Sequence, residues 1–249
     1  MTVGPCIFDA GEQPMHQNLA SSPFFGRPLP MRKLLCLRDA IEAIAACHDD
    51  GDVWDRYCWV YVTDDVPLVD ARLYLSTRDD EDDPAVDEDG EEHPAFAMAH
   101  GLVNYLEAAT FADVLSVQKR QQPLSQLEDY AVALEHYAEQ DAFLDRGEFY
   151  RGGNEPEPTP GLSRDIHAEY DLHLTACPAD RLLGAAKAAA ELLGINAAEA
   201  LNRCRQLPLV LGERVDARER DRIEARFADT SLPLQRTTHV PLAWQMGRP

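Results

Sequence analysis

Carboxylates dominate the residues of this chain that could do chemistry. Residues 79–92 read DDEDDPAVDEDGEE. Asp79, Asp80, Glu81, Asp82, Asp83, Asp87, Glu88, Asp89, Glu91 and Glu92 are acidic, and no residue of the run is basic. Such a run could cage a cation, face a positively charged partner, or stay solvated. A calcium loop needs oxygen ligands at alternate positions, a glycine at the sixth and a glutamate at the twelfth. The run has no such phasing, and Pro84 interrupts it, so no metal site is expected. Pro84 and Gly90 argue against a regular element, and blocks of like charge repel. A flexible acidic loop is expected, free to remain solvated or to meet a basic surface.

The other reactive residues are poorly spaced for catalysis. His93 and His100 are seven apart and His167 and His173 six apart, so neither pair shares a helical face as metal ligands do. Cys47 and His48 are adjacent, and adjacent side chains on a helix point apart. No G-x-S-x-G, P-loop or dinucleotide fingerprint occurs. No catalytic, cofactor-binding or metal-binding residue is assigned, and the chain is expected not to be an enzyme. Trp54, Tyr57 and Trp59 lie near the acidic region. They pack the core or form an aromatic anchor inside an acidic rim, the arrangement of many protein interfaces. Trp54 therefore joins the ten carboxylates as a candidate partner-contacting residue.

Charge is unevenly spread. The chain has 249 residues and a net charge of -21, and nearly all of the excess falls in residues 1–150. Residues 151–249 are almost neutral. Two units with different jobs are expected. Phosphates would be repelled by the first, which excludes nucleic acid as its partner. Anionic membranes are disfavoured for the same reason. No apolar run is long enough to span a bilayer, and the start, MTVGPCIFDAGEQP, lacks the features of a signal peptide. The six cysteines show no C-x-x-C spacing. Reduced, mostly buried thiols in a cytoplasmic protein are expected.

The elements that must position these residues can be read from periodicity. Residues 1–30 form an irregular, Gly/Pro-punctuated arm. Leu37, Ala40, Ile41, Ile44 and Ala45 predict a helix that ends at Asp49-Asp50-Gly51. RYCWVYV (56–62) alternates as a strand covered on both faces, with Tyr57, Trp59 and Tyr61 on one and Cys58, Val60 and Val62 on the other. ARLYLST (71–77) is a second strand. PAFAMAHGLVNYLE reads as a helix broken near Gly101, and TFADVLSVQKRQ as a helix opened by Thr110 and Asp113. Ser125 and Glu128 predict a capping box before a helix from Leu127 to about Leu144. The domain expected from these elements is an acidic α+β unit over 31–150. A Gly/Pro-rich linker follows over 151–163, and a second unit with a C-terminal tail over 164–249. The order predicted for the second unit is β-α-α-β-α-β.

That order, with PADRLLGAAKAAAELLGINAAEALNRCRQLP, resembles the C-terminal domain of the bacterial ribosomal large-subunit stalk protein over roughly residues 169–237. Pro178, Ala179, Asp180, Lys187, Glu191, Gly194, Glu199, Ala200 and Pro208 fall at the family's positions without a gap from Lys187 onward. The resemblance implies the fold, and it carries an alternative function as a ribosome- or translation-factor-associated accessory protein. The family's basic, glycine-containing docking surface is mostly replaced, with Arg181 for Lys, Ala190 for Arg, Asn196 for Gly, and Ala198 and Leu201 for Lys. A reused scaffold is the implication. The first half resembles a small bacterial domain family of unknown function. The shared features are its leading helix, DGDVWDRYCWVYV, and the segment Tyr105–Gln121. Small acidic domains of this kind look like the immunity proteins that neutralise polymorphic toxins in interbacterial competition. The expected function is thus a non-catalytic immunity protein bound to a basic toxin effector domain.

Overall fold

The computed structural model describes residues 32–80, 82–87, 89–147 and 159–247. The N-terminal arm, most of the Gly/Pro segment, and Glu81 and Glu88 of the acidic run lie outside the described residues. Helices and three small antiparallel sheets make the chain α+β.

The first half contains α1 (Leu37–Ala45), α2 (Asp50–Arg56), β1 (Trp59–Thr63), β2 (Leu73–Leu75), β3 (Pro84–Val86), β4 (Glu92–Pro94), α3 (Ala95–Ala99), β5 (Leu102–Glu107), α4 (Ala108–Gln121) and α5 (Leu127–Gln140). A three-stranded sheet runs in the order β2-β1-β5. The alternation in β1 sets its two faces. Val60 and Val62 join Leu73, Leu75, Ile41, Ile44, Phe111 and Leu115 in the main core. Tyr61, on the opposite face, packs with Tyr74, Ala97 and Leu102 in a smaller cluster. A sheet buried on both faces matches the strand pattern read from the sequence.

Four local expectations change. Asp49 does not stop α1; it opens α2, its carboxylate accepting from the Asp52 amide at 2.8 Å. The signals for stopping one helix and capping the next coincide in these residues. Leu102–Glu107 is a strand, because Gly101 at φ +64 turns the chain out of α3 and the open edge of β1 takes up the following backbone groups. The box that opens α5 is Gln126 with Asp129, one residue beyond the expected pair, and Asp141 ends the helix in the left-handed region. α4 starts at Ala108, with Glu107 rather than Thr110 at its cap.

The second half follows the predicted order. It runs β6 (Glu169–Leu174), α6 (Leu182–Leu193), α7 (Ala197–Arg205), β7 (Leu209–Val215), α8 (Ala217–Ala228) and β8 (Leu234–His239). Its antiparallel sheet has the order β7-β6-β8, and Ala185, Ala189, Leu211, Ile223 and Phe227 fill its own core. Small side chains on α6 suit close helix–sheet approach. Asn196 and Asp216 cap α7 and α8 by accepting from the amides of Glu199 and Glu219.

From Arg32 onward the chain packs as one unit. Ile166 and Leu242, which flank the second sheet in sequence, sit in the first core. Trp244 stands edge-on to Tyr130 and donates to Glu42 at 2.9 Å. Arg218 pairs with Asp49 at 2.9 Å, and Ser116 donates to Asp165 at 3.0 Å. The C-terminal tail thus ties back onto the first core.

Candidate partner-binding site

The acidic run is a hairpin. β3 and β4 pair Ala85 with His93 and Val86 with Glu92. The loop reading fails because the run satisfies its own backbone. The Asp87 carboxylate accepts from the amides of Asp89 and Glu91, both at 2.9 Å, and lies 3.1 Å from His93 Nε2. Gly90, at φ +89, supplies the left-handed turn residue. The two prolines lie opposite each other at the open end of the ladder, where no N–H is demanded. Asp87, Glu91 and His93 are also close enough for their ligand atoms to meet around one ion.

The hairpin is anchored at its base by Asp80. This side chain is 4% exposed. The Tyr74 hydroxyl donates to both of its oxygens, at 2.8 and 2.7 Å. The Thr77 amide donates at 2.7 Å, and Arg32 Nε pairs with it at 3.0 Å. Arg32 also donates to Asp83 at 3.1 Å, so one guanidinium spans two carboxylates of the run. Burial and the neighbouring Asp80 carboxylate raise the Tyr74 hydroxyl well above the ordinary tyrosine value.

The expected partner-contacting residues therefore divide. Asp79, Asp82, Asp83, Asp89, Glu91 and Glu92 are exposed on or beside the hairpin. Asp80 is buried in the anchor and Asp87 is turned into the loop, so both shape the surface rather than face a partner. Glu81 and Glu88 lie outside the described residues. Trp54 is exposed on α2. The tryptophan that meets the hairpin is Trp59 of β1, and a cavity of about 210 Å³ separates the two. Trp59, Tyr61, Thr77, Asp80, Glu92 and His93 are among its walls. Strand alternation placed Trp59 and Tyr61 on one face in the sequence; the return of the hairpin over that face could not be read there.

Residues 36–146 match the family model of a domain of unknown function, DUF7716. No curated protein and no solved structure matches the chain. The matched span contains the first sheet, the hairpin, the cavity and all of the anchor except Arg32. It ends where Gln121 and Gln118 bind Arg146: Gln121 Oε1 accepts from its amide at 2.7 Å, and Gln118 Oε1 from its Nε at 3.3 Å. The glutamines that close α4 thus fasten the end of the matched span.

No helix among the described residues is long and apolar enough to cross a membrane. Cys36, Cys177 and Cys204 are free thiols.

The turn of the hairpin should respond to acid. The Glu91 amide, outweighing slight burial, and then His93 and the Asp89 amide hold the Asp87 carboxyl below its ordinary value. The folded state thus favours the ionised form. Its contribution is present above the ordinary aspartate range and lost as pH falls through the depressed folded value. In an NMR titration, the Asp89 and Glu91 amides should shift together with a midpoint below about 3.9. Asp87→Ala should abolish that shared midpoint; its persistence would assign the titration to another carboxylate.

Proposed function

We propose that this chain is a non-catalytic binding protein whose acidic hairpin meets a basic protein, and that it acts as an immunity protein against a toxin's catalytic domain. One observation carries the reading. Like charges that would ordinarily keep a segment solvated are here built into an ordered hairpin beside an exposed tryptophan. Holding that much negative charge in one shape supports recognition of a fixed pattern of positive charge. Toxins that act on nucleic acids or nucleotides present basic clefts. An acidic domain is steered to such a cleft and competes with its phosphate substrate.

The test uses a toxin domain with a basic cleft, sought in the gene neighbourhood of this chain. Asp79, Asp82 and Asp83 are changed to Asn, and Glu91 and Glu92 to Gln. Association with the toxin domain should slow by about one to two orders of magnitude at low salt and lose most of its salt dependence. Cells carrying the toxin should lose protection. Unchanged association and full protection would sink the electrostatic mechanism. The resemblance of residues 169–237 to the stalk protein supports the alternative of a translation-associated protein, which predicts co-sedimentation with ribosomes.

A further inference from the structure

We propose that the cavity between β1 and the acidic hairpin seats one arginine side chain of the partner, an inference that rests on the basic-partner reading above. One polar group in the cavity wall makes no hydrogen bond to the described residues. Tyr61 is 4% exposed and lines the cavity, yet its hydroxyl has no hydrogen-bond partner among the described residues. The hydroxyl oxygen keeps contact with solvent, so it is open to a ligand. The neighbouring polar groups are occupied. Ser76 Oγ accepts from the Trp59 amide and donates to the Trp59 carbonyl. Thr77 donates to Asp80, Asp80 is saturated by Tyr74 and Arg32, and His93 is turned to Asp87. Tyr61 oxygen and the exposed Glu92 carboxylate remain as acceptors.

The occupant follows from that inventory. Carboxylates in the wall and rim select a cation. Open acceptors select a cation that carries N–H donors, which disfavours a quaternary ammonium. The aromatic rings of Trp59 and Tyr61 favour a flat, weakly hydrated group that can lie against them, which is guanidinium rather than the compact ammonium of lysine. The chain's own Arg32, giving one nitrogen to Asp80 and another to Asp83, shows that carboxylates of this run already accept a guanidinium.

Calorimetric titration of the full chain with hexa-arginine and hexa-lysine peptides tests the proposal. Hexa-arginine should bind about tenfold more tightly at physiological salt, the scale of one charge-assisted hydrogen bond. Tyr61→Phe, which keeps the ring and the packing, should remove most of that preference and leave hexa-lysine binding unchanged. Glu92→Gln should weaken hexa-arginine more than hexa-lysine. Equal affinities, or a preference untouched by Tyr61→Phe, would overturn the arginine seat while leaving the acidic surface as a general docking site. If neither peptide bound, the basic-partner reading would fall, and the arginine seat with it.

Discussion

Replacing Asp80 with alanine should cost about 2–4 kcal/mol of folding stability and loosen the acidic hairpin, although an acidic run tolerates most neutral substitutions. The reason is local. Asp80 is the one carboxylate of the described run that is buried, and it accepts from Tyr74, from Thr77 and from Arg32. Removing it strands the Tyr74 hydroxyl inside the cluster it shares with Tyr61, Ala97 and Leu102. A buried donor left without a partner costs its full desolvation energy. It also frees Arg32, which holds Asp83 at the start of β3. Asp80→Asn retains an acceptor oxygen and should cost less than half as much. Asp82→Ala, at an exposed position of the same run, should fall within about 0.5 kcal/mol of the parent. Urea unfolding midpoints of the three variants measure this. Equal midpoints for Asp80→Ala and Asp82→Ala would remove the anchoring role.

Lys119→Met should stabilise the protein by about 2–3 kcal/mol at pH 7, a large gain for a single substitution. Lys119 is fully buried on α4, and its Nζ has no hydrogen-bond partner among the described residues. Burial pushes its pKa down to about 7, against the pull of Asp165 and Glu169. An unfolded lysine titrates near 10.4. Between these values the unfolded chain binds more protons than the folded one, so the parent's stability rises with pH across that window. The penalty is complete below the folded value and fades toward the unfolded one. Methionine has nearly the same length and no charge to desolvate. The gain should therefore be largest at or below pH 7 and nearly gone by about pH 10. Chemical denaturation of both proteins across this range provides the test. A pH-independent difference, or a less stable variant at pH 7, would show that the Lys119 charge does not set the cost.

These two residues show where sequence reasoning reached and where it stopped. Lys119 and Asp80 sit in QKRQ and in DDEDD, segments that look like solvated surface. Gln118, Lys119 and Gln121 are buried because Arg146 and the segment around Asp165 fold across the end of α4. Asp80 is buried because Tyr74, six residues away on β2, points the same way. Neither covering segment has a periodicity that forecasts its path. The same limit explains Leu102–Glu107, where pairing with β1 overrode an apparently helical run.

Local chemistry was sufficient for much else. Alternation along β1 assigned Val60 and Val62 to one face and Trp59 and Tyr61 to the other, since successive strand side chains must diverge. Apolar spacing located α1 and α5. The α+β class and the β-α-α-β-α-β order of the second half follow from these period changes alone. Tertiary structure decided which carboxylates are spent on the fold and which remain exposed, and that Trp59 rather than Trp54 stands beside the hairpin. Those outcomes depend on contacts between residues distant along the chain, and one-dimensional spacing carries no distance across space. The sequence determined that the region is acidic. Folding made it a shaped surface with a cavity at its base.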